Sequence, residues 1–325
     1  MKTRWSCLKS FTLLFLICQL AGSGWAQSYP VKPVRLILPS TPGSGYDIIG
    51  RIVAAGLAEV FGQQVIVDNR AGGAGETGAI LAVRAPADGY TLFEAGSSQA
   101  ARVILYRNPP YDLVRDFAPV TQLAIAPAVV VVHPSLPVKS IGDLVKLAKT
   151  RPGTIYYAGT TVGGASHVAA ELFIEIAGVN MVHVPFRGGG DALTSILSGE
   201  TSLFFSPFSA ALPQIRQGRL RLLAVTSTQR LPLLPEYPTV AESGYPGFEF
   251  GNWYGILVPA KTPKATIAII HGAAVSVLKN PAVGQRLSDI GFIIVGNQPE
   301  QFAAYIKSEI ERHGRILWKW RGTLP

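Results

Sequence analysis

The sequence predicts an α/β protein built as two lobes with a ligand cleft between them. Three observations carry this expectation. Short apolar strands alternate with amphipathic helices along most of the 325 residues, the pattern of a mostly parallel sheet flanked by helices. The alternation changes character near Gln122 and then resumes, with no flexible linker or internal repeat,. Three glycine-rich loops stand where a strand hands over to a helix, the place where open α/β sheets hold their ligands.

The first 26 residues read as a secretory signal. Lys2, Arg4 and Lys9 form a positive start, residues 11–20 are apolar, and Gly24 and Ala26 put small residues at the positions a signal peptidase reads,. The apolar run is too short to span a bilayer, which takes ~20 residues. Ile17 before Cys18 argues against a lipoprotein. Cleavage is expected after Ala26 and leaves 299 of the 325 residues, without Cys7 and Cys18 and therefore without disulfide or thiolate chemistry,. Losing three basic residues and no acidic one lowers the net charge from +9 to +6. A modestly basic surface can steer anions. No Lys/Arg cluster with interleaved aromatics points to nucleic acid.

In the first lobe, strands are expected at 34–38, 65–67 and 90–95. A turn at 39–46 leads to a helix from Ile48 with Asp47 as its N-cap, and Ile49, Ile52, Val53, Leu57 and Val60 share one face of it,. A glycine-rich turn at 71–75 opens a helix over about 76–84, and Gly96-Ser97-Ser98 ends the third strand. The β-branched run 129–132 reads as a buried strand leaving this lobe,. In the second lobe, Ser140 caps a helix to about Thr150. Strands at 154–157, 181–184, 202–205 and 220–225 then alternate with helices around 166–177, 191–198 and 210–217. Residues 231–250, rich in proline and glycine, are expected to be irregular,. A strand at 253–258, helices at 264–279 and 281–289, a strand at 292–295 and a helix over 299–320 close the chain. The expected division is 27–124 plus 252–325 for one lobe and 125–251 for the other.

The three loops are PSTPGSGYD (39–47), GTTVGGASH (159–167) and VPFRGGGDA (184–192). Glycines let backbone approach a ligand closely, and the helix that follows each loop presents unpaired N–H groups and a partial positive charge. Ser44, Thr160, Thr161 and Ser166 can add hydroxyls. Nucleotide-binding patterns fail: no Gly-Lys-Ser/Thr ends the first loop, and Ile48 stands where a dinucleotide fingerprint needs its third glycine,. The alternative is that such turns merely connect strands to helices.

The catalytic inventory is thin. There is no Gly-x-Ser-x-Gly elbow, no metal-ligand pair among His133, His167, His183, His271 and His313, and no outstanding carboxylate pair,. No metal, cofactor or catalytic residue is expected. His167 and His183 flank two loops, with packing or capping as their expected role,.

In order along the chain stand YPVKPVRLILP, the PxxPGxxxD loop, DNRAGGAG, PADGYTL, LYRNPPYDLVRDFAPV, HVPFRGGGDAL and PGFE. With these motifs the sequence resembles the tripartite tricarboxylate transporter substrate-binding proteins, or Bug receptors, over about 29–310. The resemblance implies a type II periplasmic binding protein fold, a small organic carboxylate as ligand, and delivery to the subunits of an inner-membrane permease. It implies binding residues in the first loop (Thr41, Pro42, Gly43, Ser44, Asp47), in the third (Phe186, Arg187, Gly188, Gly189) and in the second (Thr160, Thr161, Gly163, Ser166, His167), with Ser97 and Ser206 as further candidates.

Departures from the family pattern are Ser40 for an aromatic residue, Thr41 for a proline, Asp191 for a proline, and the ending RILWKWRGTLP. Ser40 and Thr41 suggest a roomier, more polar pocket mouth if they face the cleft. Asp191 is expected to serve as a helix N-cap. The alternatives to an uptake receptor are a periplasmic sensor using the same clamp and, more distantly, a periplasmic hydrolase.

Overall fold

The structure, a computed structural model, describes residues 29–322. The expected signal peptide at 1–26 lies outside them. Strands β1 (Val34–Leu38), β2 (Val65–Asn69) and β3 (Thr91–Gly96) pair in parallel, β1 in the middle. Helices α1 (Gly45–Phe61), α2 (Glu76–Val83) and α3 (Ser97–Leu105) follow them in turn. Alternation along β1 sorts the core: Leu36 and Leu38 pack with Ile49 and Leu57 of α1, whereas Ile37 packs with Ala79 and Ala82 of α2,.

β4 (Phe117–Val132) runs 16 residues and belongs to both halves of the molecule. Its first part pairs antiparallel with β9 (Gly251–Pro259), from Phe117 opposite Pro259 to Pro127 opposite Gly251. From Ala128 onward it pairs instead with β7 (Leu203–Pro207) and β8 (Arg221–Val225). Here Val130 and Val132 enter one core cluster while Val129 and Val131 enter another. A strand covered on both faces needs such an unbroken apolar run, and burying each valine is worth about 1.5–3 kcal/mol.

The second half repeats the scheme. After α4 (Ile141–Thr150) come β5 (Tyr156–Gly159), α5 (Ala165–Ala177), β6 (Val182–Pro185), α6 (Gly189–Ser198), β7 and α7 (Phe208–Arg216). β5 lies parallel between β6 and β7. The full sheet order is β2-β1-β3-β9-β4-β7-β5-β6, with β8 and β10 (Ile293–Ile294) each also paired to β4. Helices α8 (Lys264–Lys279), α9 (Pro281–Asp289) and α10 (Pro299–Leu317) complete the chain.

The molecule thus has two lobes joined where β4 and β9 run side by side. A third junction comes from side chains. Phe302 and Ile306 of α10 pack in the first lobe, but Ile316 and Leu317 join the core of the second. Ala101, Ile104 and Leu105 of α3 join that same core. One side of the lobe boundary is therefore a shared apolar core.

Several local expectations are corrected. The N-cap of α1 is Ser44, in extended conformation, and its Oγ accepts from the Asp47 N–H at 3.3 Å, so the helix begins at Gly45. Asp47 sits in the first turn. Asp191 likewise lies in the first turn of α6, whose N-cap is Gly188. Gly96-Ser97-Ser98 opens the unforeseen helix α3, because Ala100, Ala101, Ile104 and Leu105 form a buried stripe that outweighs the turn-like composition,. The final helix stops at Leu317 and tightens into a 3₁₀ turn, Trp318–Trp320.

Candidate functional site

A cleft of about 460 Å³ lies between the lobes. It sits at the carboxyl ends of β1, β3, β5, β6 and β7, so the helix that follows each of these strands points its N-terminal turn at the same space. Ser44, Gly45 and Tyr46 come from α1, Ser98 from α3, Ala165 and Ser166 from α5, Gly188 to Gly190 from α6, and Ser209 and Ala210 from α7. Thr41 to Gly43, Thr160, Phe204, Pro207, and Asn252 and Tyr254 of β9 complete most of the wall.

No lining residue carries a charged side chain. The helix starts bring partial positive charge from backbone: the first N–H groups of a helix have no intrahelical partner and carry a share of its dipole. Three of the helices that leave these groups without a side-chain cap belong to the second lobe, and α3 of the first lobe, with Gly96 at its N-cap, is a fourth. α5, α6 and α7 all lack a side-chain cap, their N-cap positions being Gly164, Gly188 and Pro207. A Cβ at Gly188, Gly189 or Gly190 would meet no protein atom within 4 Å. In the first lobe, by contrast, the α1 terminus is capped by Ser44. That side offers the hydroxyls of Tyr46, Ser98 and Tyr254 and the amide of Asn252.

The first loop is shaped from behind by Asp47. Its carboxylate accepts from the Gly43 N–H at 2.9 Å, from Arg51 at 2.9 Å and from Asn69 at 3.0 Å. Burial opposes ionisation, but these hydrogen bonds and the Arg51 charge outweigh it and hold the carboxyl below its usual range,. Asn69 also donates to the Ser40 carbonyl at 3.2 Å. Gly43 makes the turn with φ +81°, a conformation that favours glycine,.

Of the sequence-predicted residues, Thr41, Pro42, Gly43, Ser44, Thr160, Ser166, Gly188 and Gly189 meet in the cleft wall. The others lie elsewhere. Ser40 is not in the cleft wall and turns its hydroxyl to Ser44 at 2.6 Å, whereas Thr41 does line the cleft. Asp47 is buried behind the loop. Ser97 is fully buried and bonds the start of β9 through the Trp253 N–H at 3.3 Å. Thr161 and Arg187 are exposed outside the wall, and Phe186 packs on the second-lobe core. Gly163 rests against Leu105. Ser206 is buried with its hydroxyl on the Pro207 carbonyl at 3.2 Å. His167 is buried and accepts from the Gly163 N–H at 3.3 Å; burial, with His183 nearby, lowers its pKa to about 4.

The sequence reading missed Tyr46, Ser98, Gly190, Phe204, Pro207, Ser209, Ala210, Asn252 and Tyr254, among others. The β7–α7 junction contains no glycine, so a search for glycine-rich loops passes over it. Asn252 and Tyr254 are two apart on a strand and so share its cleft-facing side.

Residues 49–321 match the family described as the tripartite tricarboxylate transporter family receptor. The chain belongs to that family. Protein BugT of Bordetella pertussis is 34% identical over 294 residues, 90% of this chain and 90% of that protein. Among solved structures, Rpa4515 of R. palustris with adipate superposes with TM-score 0.82 at 32% identity, covering 90% of this chain and 98% of that one. The periplasmic binding protein BugD gives 0.80 at 29% identity, with 90% and 98% covered. MatC of Rhodopseudomonas palustris with bound malate gives 0.80 at 27% identity, covering 89% and 100%. The fold is that of these two-lobed receptors, and the function class of the chain is solute binding.

Proposed function

We propose that this receptor captures a small organic carboxylate in the interlobe cleft, in the periplasm after cleavage of its signal peptide, and delivers it to an inner-membrane permease. The observation that carries the reading is the convergence of five helix N-termini on a cleft without a charged side chain. Such a site attracts an anion through backbone dipoles and contains no base or nucleophile poised to transform it. Binding, not turnover, is the activity it supports. Adipate and malate, held by two related proteins, are both dicarboxylates, and two opposed groups of donors suit a ligand with a polar group at each end. In this reading the open second-lobe termini at Gly188 to Gly190 take the carboxylate first. Tyr46, Ser98, Asn252 and Tyr254 close on it from the other lobe.

A thermal-shift screen of the mature protein tests this against mono-, di- and tricarboxylates, amino acids and neutral sugars. A ligand at ~100 times its dissociation constant stabilises by about 2.7 kcal/mol. A shift with at least one carboxylate and none with sugars is expected. Stabilisation by neutral solutes alone would sink the proposal.

A further inference from the structure

The C-terminal turn lies against the back of a cleft loop. Glu171 of α5 is buried, and three donors from two directions converge on it. The Tyr157 hydroxyl donates to Oε1 at 2.8 Å, while the indole Nε1 of Trp320 and the ammonium of Lys319 reach Oε2 at 3.2 and 2.8 Å. Although burial opposes it, the Lys319 and Tyr157 contacts lower the Glu171 pKa and keep it ionised. The Trp320 ring packs edge-on against His167 with centroids 5.3 Å apart, and His167 packs on His183 at 4.5 Å. The two histidines then touch the cleft loop directly. His183 Nε2 bonds the Thr160 carbonyl at 3.1 Å, and His167 Nδ1 accepts from the Gly163 N–H at 3.3 Å. Thr160 lines the cleft. Beyond Trp320 the chain is fastened again, the Gly322 N–H donating to the Leu105 carbonyl at 2.8 Å.

We propose that the segment from Trp318 to Gly322 is a strap that positions the cleft loop 160–166, acting through Glu171 and the His167–His183 pair. Trp320 and Lys319 are positioning residues: neither lines the cleft. The alternative is a tail that merely covers the core. A cover needs bulk at position 320, whereas a strap needs an aromatic ring set against His167. That the loop serves a carboxylate rests on the proposed function; that the strap orders the loop does not.

Hydrogen–deuterium exchange on the ligand-free mature protein therefore decides the question. Trp320→Ala is expected to speed exchange of the 160–168 amides at least tenfold, with β1, β3 and β7 unchanged. Trp320→Phe, which keeps a ring on His167, is expected to recover most of the protection, and Trp320→Leu, which keeps only bulk, is not. The His167 ring offers a second readout. It is faced by His183 of β6, Glu171 of its own helix, and Lys319 and Trp320 of the strap, with Tyr157 of β5 stacked on His183. By NMR it should stay neutral down to about pH 4 in the wild type and titrate closer to the ordinary value of 6.5 in Trp320→Ala. With adipate as probe, the dissociation constant should rise at least threefold in Trp320→Ala. Exchange at 160–168 within twofold of wild type, equal rescue by Leu and Phe, or loss of protection spread through β7 would overturn the strap. Failure of the wild type to bind adipate or any other carboxylate would count against the proposed function alone, and the exchange result would still decide the strap.

Discussion

Replacing Gly188 with valine probes the anion grip with little expected disturbance of the fold. Gly188 is the N-cap of α6, with φ −163° and ψ 172°, extended backbone that valine adopts readily. Its Cβ would meet no protein atom within 4 Å, so the side chain starts in open space. Valine is a poorer N-cap than glycine, a cost of about 1 kcal/mol or less. Restricting the unfolded chain returns about 0.4–1 kcal/mol. Stability should therefore stay within about 1 kcal/mol of wild type in urea. Binding should not survive as well, because the isopropyl group occupies the approach to the uncapped N–H groups of Gly189 and Gly190. Losing one hydrogen bond to a charged group costs about 1.5–3 kcal/mol, which is about a 10- to 150-fold rise in dissociation constant. Calorimetry with the tightest carboxylate from the thermal-shift screen measures it. Gly272→Ala on α8 is the control: it too has open space around its Cβ, is not in the cleft wall, and should leave affinity untouched. An affinity for Gly188→Val within twofold of wild type, in a protein of wild-type stability, would refute the assignment of the α6 terminus to the anion.

Three further outcomes are expected. Arg187→Ala should weaken carboxylate binding less than threefold and lose that difference in high salt, since Arg187 is exposed outside the cleft wall and its field is screened. Glu94 is fully buried, neither carboxyl oxygen has a hydrogen-bond partner among the described residues, and burial followed by the Asp47 charge raises its pKa well above 4.5. A raised acid pKa means that the folded state holds the proton the unfolded state has released. Wild-type stability should thus fall, relative to Glu94→Gln, by about 1.4 kcal/mol per pH unit above 4.5 until the folded value is reached; urea unfolding curves that run parallel from pH 4 to 7 would contradict this. Ligand binding should also draw the lobes together, visible by small-angle scattering as a fall from a radius of gyration of about 19 Å, and an unchanged radius with binding confirmed by calorimetry would count against a clamp.

Much of this architecture was legible because each local rule agreed with the global fold. The runs at 34–38 and 129–132 are short and apolar, and both proved to be strands covered on two faces,. Helices 264–279 and 281–289 are separated by Asn280, which caps the second helix, and Pro281 opens that helix,. The length of β4 was not legible. Its first part contains Pro119 and Pro127, which argue against a central strand, yet the structure pairs both with β9 and bulges nearby. Helix α3 hid behind Gly96-Ser97-Ser98 for a similar reason: glycine and serine mark a turn locally, while the whole helix, the two serines included, is only nine residues long.

The partial reading of the cleft has one physical origin. Glycine signals backbone that a ligand can approach, so it exposed the loops after β1, β5 and β6. It cannot reveal a side chain facing the cleft from a strand, such as Asn252 or Tyr254, nor a helix start that needs no glycine, such as Pro207-Phe208-Ser209. It also overcounts. Gly163, which is not in the cleft wall, has reason enough to be glycine in its φ of +81° and in Leu105 of the neighbouring helix lying against it,. Gly188 to Gly190 differ in the one respect that matters: nothing in the protein fills the space beside them. Gly188 also suits the N-cap of α6, but no packing contact accounts for the two glycines that follow it,. In the proposed reading that space admits a ligand, and the unpaired N–H groups at that point suit an anion.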